Sequence, residues 1–170
     1  TAMEQFGRQS GLAAKRFVAF TVTAGAIIAF TSSLKQALTA AVEFDREMVR
    51  LTQVSTDSVG QVGAVGNEVS RLSKNYGVSS KELLTTAVTL KQANLSLADT
   101  KVALEALAQA ALSPSFDNLK DTTEGAIAVM NQFNVSAKDL GNALGAINAV
   151  AAEFAVEAQD LIEGVRKAGG

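Results

Sequence analysis

The sequence predicts an all-α protein: one long apolar N-terminal helix followed by a multi-helix bundle of two related helical hairpins. Three observations lead there. The chain is 48% hydrophobic, mostly through Ala, Leu and Val, and has one proline in 170 residues, a composition that favours helices over strands. Residues 17–34 contain no charge, with Lys15 and Arg16 before them and Lys35 after. Beyond Val54 the chain breaks into short stretches that end on Gly or Asn and restart on Ser or Asp, the punctuation of successive helices.

The first element reads as one helix from about Gly11 to about Val54. Its uncharged part spans about 27 Å at roughly 1.5 Å per residue, near the roughly 30 Å hydrocarbon core of a bilayer. Phe17, Val18, Phe20, Val22, Ile27, Ile28, Phe30 and Leu34 make it apolar, while Thr21, Thr23, Gly25, Thr31, Ser32 and Ser33 dilute it. Such a run serves as a membrane span or as a helix covered by other protein, and the covered reading is preferred. A signal peptide fits poorly, since helical sequence continues from Lys35 to Val54 without cleavage-type punctuation. Residues 1–54 are thus expected to form a long helical segment and 55–170 a helical core. Thr1 in place of an initiator Met, and the closing Gly169-Gly170, read as a segment of a longer chain.

Within the core, Asp57 or Ser58 opens a helix through Val59, Val62, Val65, Val69 and Leu72 that stops at Tyr76-Gly77. Gly60, Gly63 and Gly66 weaken it by roughly 1 kcal/mol each against Ala, and close helix packing is their expected use. Capping patterns at Ser79-Ser80-Lys81-Glu82 and Ser96-Leu97-Ala98-Asp99 open helices over Lys81 to Asn94 and Ala98 to Leu112. The second stops before Pro114. Asp117 or Asn118 starts a helix to Phe133, with Asp117 expected as its cap. Ser136 caps Leu140 to Ala151, and a last helix runs from about Glu157 to Lys167.

Tyr76 to Leu83 matches Phe133 to Leu140 at a constant offset, which then sets Leu97 on Phe154 and Leu104 on Leu161. Two related units, about 76–113 and 133–170, are expected from it.

Composition excludes much chemistry. Cysteine, histidine and tryptophan are absent, so disulfides, thiolate metal sites and histidine-based triads are ruled out. Lys and Arg number 15 against 17 Asp and Glu, which leaves no basic footprint for a phosphate backbone. Asp117, Asp121 and Glu124 share a helix side with metal or acid–base potential, but with Lys120 nearby they read as a solvated helix start. Glu43, Asp45 and Glu47 among Arg46 and Arg50 read as a solvated or interchain-paired face. Asn94-Leu95-Ser96 and Asn134-Val135-Ser136 match the glycosylation pattern, yet both serines already have capping roles. No catalytic, metal or cofactor constellation is expected.

Several blocks in order carry a resemblance: Lys15-Arg16-Phe17 with the uncharged run, Ala41 to Val49, Tyr76 to Leu83, Ala103 to Ala108, Phe116-Asp117, Thr122 to Gly125, Met130 to Phe133, Ile147 to Ala151, and Phe154 to Leu161 followed by Gly169-Gly170. Together they cover roughly residues 13 to 170, and the chain resembles the core region of phage tail tape measure proteins. The resemblance implies a structural, non-enzymatic protein of the virion that occupies the tail tube or tip, sets tail length during assembly, and is released to assist DNA ejection across the host envelope. It implies copies of itself, tail tube proteins, tail tip or baseplate proteins and, on ejection, the host inner membrane as partners. This segment lacks a long regular repeat and any peptidoglycan-hydrolase motif, so neither a ruler repeat nor that activity is expected of it. The alternative is a membrane-active pore or helper subunit anchored by helix 17–34. A soluble helical adaptor is a third class, and an enzyme a distant fourth.

Overall fold

The computed structural model describes residues 28, 29 and 31–168, and among them every regular element is a helix. The chain divides into two compact units, residues 1–42 and 43–170. In the first, the described residues belong to α1, which covers residues 31–54. Ser32 and Ser33 donate to the Ala29 carbonyl, each at 2.9 Å, and Thr39 donates to that of Lys35 at 3.0 Å. Ser32 and Ser33, two of the polar residues that dilute the uncharged run, therefore satisfy their hydroxyls on the helix itself.

The long apolar N-terminal helix is corrected in its described part. Phe17, Val18, Phe20, Val22, Ile27 and Phe30 lie outside the described residues. From Lys35 onward α1 carries Glu43, Asp45, Arg46, Glu47 and Arg50 as well. No helix among the described residues is long and apolar enough to cross a membrane.

The second unit continues through α2 (Val59–Tyr76), α3 (Ser80–Gln92), α4 (Leu97–Ala110), α5 (Leu119–Phe133), α6 (Leu140–Phe154) and α7 (Ala158–Ala168). Ser58 starts α2 with a capping box: its hydroxyl accepts from the Gln61 amide while the Gln61 side chain accepts from the Ser58 amide. Gly77 ends it at φ 71°, a left-handed conformation that costs glycine nothing, and its amide donates to the Ser73 carbonyl. The buried stripe Val62, Val65, Val69 and Leu72 recurs at three and four residues, as the sequence pattern requires.

The core centres on α4, which packs against α2, α3, α5 and α6. Its sequence explains that position. Ala103, Ala106, Ala108 and Ala110 let neighbours approach from several sides, and Leu104 and Leu107, fully buried, fill the space between them. Each such leucine contributes about 1.5–3 kcal/mol through burial. The single tyrosine, Tyr76 at the end of α2, is tied to α4 by its hydroxyl, which accepts from Gln109 Nε2 at 3.0 Å. α7 packs on α5 and α6. Ile162 lies so close over Gly125 that a Cβ there would overlap Ile162 Cγ2.

Of the three glycines in α2, Gly66 alone touches a neighbouring element: Met48 Cε would be 3.0 Å from its Cβ, whereas Gly60 and Gly63 face open space. The 57-residue offset places Gly77 and Asn134 at equivalent left-handed helix ends. The two units differ at the end of α6. That helix continues to a left-handed Ala155, so exposed Phe154 ends α6 where buried Leu97 begins α4.

Candidate assembly surfaces

On α1, Leu34, Leu38 and Val42 recur at one-turn spacing and are 50%, 61% and 62% exposed, with Ile28 before them also exposed. Of the apolar residues singled out in the sequence, Ile28 and Leu34 are thus described and uncovered. Four-residue spacing keeps large side chains along one side of a helix, so α1 presents an apolar strip from Leu34, at the end of the uncharged run, to Val42.

The charged residues after it are more organised than a solvated face. Glu47 is 4% exposed, although its neighbours read as surface. Its Oε1 accepts from Arg50 Nη1 at 2.8 Å, and Oε2 has no hydrogen-bond partner. Glu43 pairs with Lys81 of α3 at 3.1 Å rather than with Arg46. These side chains line a cleft of about 190 Å³. At the end of α1, Asp57 accepts from the Ser55 hydroxyl at 2.6 Å and from Lys91 Nζ at 3.0 Å. The Ser55 bond first, and Lys91 second, hold its carboxyl below the usual carboxylate range. Glu68 is likewise lowered, by the Arg71 guanidinium that it shares with Glu105.

The acidic group at the start of α5 does not converge. Asp117 is exposed, Asp121 accepts from Asn118 Nδ2 at 2.7 Å, and Glu124 pairs with Lys120 and Arg166. Among the described residues no group of acidic side chains is placed to hold a metal ion. The capping serines divide. Ser96 accepts from the Asp99 amide as expected, but Ser79 makes no side-chain cap bond. Asn118, not Asp117, caps α5: with extended backbone at Asn118, its side-chain Oδ1 accepts from the Asp121 amide. Ser136 donates to the Asp139 carboxylate in a preceding turn, and Asp139 occupies the N-cap of α6.

Two further grooves lie on the surface. One, about 170 Å³ between α3 and α5, is lined by Thr85, Thr86, Thr89 and Thr123 with Lys81 and Lys120. The other, about 210 Å³ between α4 and α6, is walled by Ala106, Ala110, Gly141 and Gly145 over Leu144 and Phe116. At its end Asn148 Oδ1 accepts from the hydroxyls of Ser113 and Ser115, each at 2.7 Å. Such walls suit packing. The sequence reading missed this groove; its signal was the near absence of charge from Leu140 to Phe154.

A family model described as phage-related minor tail protein matches residues 66–170. No curated protein and no solved structure matches the chain.

Proposed function

The chain belongs to the phage-related minor tail protein family, and from that premise we propose that it is the core region of a tail tape measure protein. A protein of this family works in the phage tail, in association with other tail components. The finer reading is that copies of this chain occupy the tail tube or tip, set tail length during assembly, and leave with the DNA to assist its passage across the host envelope. The role is structural and needs no catalytic group.

The observation that carries the reading is the order of its parts. An uncharged run precedes the helix described over residues 31–54, and most of the punctuated helical blocks that follow fall within the family match. Helix length is linear in residue number, about 1.5 Å each, which gives a helical protein the means to measure distance. The exposed strip Leu34, Leu38 and Val42 supports burial of that helix between copies or against tail tip proteins. The internal duplication of units 76–113 and 133–170 belongs to the same proposal: a helical core enlarged by repetition.

The test is the mass of the 170-residue chain by light scattering, with and without detergent, beside a shorter chain starting near Ala41. The reading expects a soluble, defined oligomer whose order falls when residues 1–40 are removed. A chain soluble only in detergent, whose shorter form is a clean soluble bundle, overturns it in favour of a membrane-anchored pore or helper subunit.

A further inference from the structure

We propose that the turn between α6 and α7 is a conformational switch: when α7 leaves its seat on α5, α6 and α7 join into one continuous helix over residues 140–168. Among the described residues, Gly77, Asn94, Asn134 and Ala155 have a left-handed backbone, at φ 71°, 67°, 51° and 53°. Three of them open the same kind of turn: Gly77-Val78-Ser79, Asn94-Leu95-Ser96 and Asn134-Val135-Ser136. Each sets a residue at ease in that conformation before an apolar residue and a serine. Ala155-Val156-Glu157 keeps the backbone form without the residues that make it. The Val156 amide donates to the Ala151 carbonyl at 3.0 Å, as the Leu95 and Val135 amides do to the Leu90 and Met130 carbonyls, each at 3.1 Å. Alanine, however, crowds its Cβ against the following carbonyl oxygen there, and Glu157 stands where the other turns have serine.

The apolar spacing runs straight through this turn. Leu144, Ile147, Ala151, Phe154, Ala158 and Leu161 follow one another at alternating steps of three and four, the register of one unbroken helix. The bend interrupts that row and leaves Phe154 67% exposed. No glycine, proline or asparagine lies between α6 and α7 to stop a helix. What holds the bend is therefore the docking of α7 on α5. Ile162, 1% exposed, sits over Gly125, and Arg166 Nη1 reaches Glu124 Oε2 at 3.4 Å. Once that docking is lost, nothing offsets the crowding at Ala155. Right-handed geometry there relieves it, extends the backbone ladder through residues 155–159 and returns Phe154 to its row. The helix lengthens from about 22 Å to about 43 Å, and the seat on α5 sets the balance between the two forms.

The switch lies within this chain and stands whether or not the tape measure reading does. Because the 170-residue chain has no cysteine, introduced pairs can carry spin labels at defined places. Labels on Lys120→Cys and Lys167→Cys report docking, since Glu124 pairs with both Lys120 and Arg166 in the bent form. Labels on Asn142→Cys and Lys167→Cys, both at exposed positions, stand about 38 Å apart on a straight helix. Ile162→Gln takes α7 off its seat with a good helix former. The expected result is a longer 120–167 distance, a narrow 142–167 distance near 38 Å, and helical circular dichroism that does not fall. Adding Ala155→Gly and Glu157→Ser, which give this turn the chemistry of the other three, should cut the 38 Å population roughly tenfold. Should Ile162→Gln unfold the core, Arg166→Glu serves instead: it opposes Glu124 at an exposed edge and should move both distances the same way by a smaller fraction. Three results overturn the proposal: α7 stays docked in both variants, freed α7 loses its helical signal and gives a broad 142–167 distance, or the turn substitutions leave the 38 Å population unchanged.

Discussion

At Gly125 a single hydrogen in place of a methyl group lets α7 seat on α5. Gly125→Ala forces a new Cβ into Ile162, where the first atom met is Cγ2 and the next is Cβ, so rotation of the side chain alone cannot clear it. Overpacking of this kind costs about 1–3 kcal/mol. A lower denaturant midpoint for Gly125→Ala is the expected outcome, and in an Ile162→Ala background, itself destabilised by about 2–5 kcal/mol through the cavity, the same Gly125→Ala change should cost close to nothing. Asp57 behaves differently because its stabilisation is ionic. Its carboxyl titrates below the ordinary value through Ser55 and Lys91, so the contribution is complete above the unfolded carboxylate pKa of about 3.9 and fades as pH falls through the lowered folded value. The stability gap between the original chain and Asp57→Asn should therefore be widest near neutral pH and close towards pH 2, read from denaturant midpoints across that range. Glu47 shows why residue-level reading stops short. Glu-x-Asp-Arg-Glu has the look of a solvated ladder, and nothing local signals that packing from elsewhere buries one carboxylate in it.

Helix starts are the elements' most legible feature and also where neighbouring residues compete. Ser96 accepts from the Asp99 amide at 3.0 Å while Ser79 makes no equivalent bond. Ser96→Ala should thus cost about 1 kcal/mol, and Ser79→Ala close to nothing, in the same unfolding assay. The pattern Ser-x-x-acid was identical at both, so the sequence located the two helices but could not say which serine would bond. Asp117 and Asn118 are adjacent, both good caps, and the choice rests on the backbone direction leaving the Pro114 turn. The extra length of α6 was illegible for another reason: its left-handed end falls on Ala155, a residue that carries no stop signal. Helix number and order, by contrast, followed from apolar spacing and punctuation. The α4–α6 groove was recoverable in principle from the charge-poor stretch 140–154, but a periodicity reading treats such a helix as simply buried.

For the molecule as a whole, the residues that hold the fold lie almost entirely after residue 43. The buried cluster runs from Leu51 to Ile162, so the shorter chain from Ala41 should unfold cooperatively at a midpoint near that of the full chain, followed by circular dichroism. A clear loss of cooperativity would place structural dependence on the first unit. With one tyrosine and no tryptophan, absorption of this chain at the long-wavelength edge of the near-ultraviolet, where phenylalanine does not absorb, and the emission excited there come from Tyr76. Its hydroxyl is held by Gln109 across the α2–α4 contact. The chain thus carries a built-in optical reporter at its central helix, able to follow folding of the core or its release from an assembly without any attached dye.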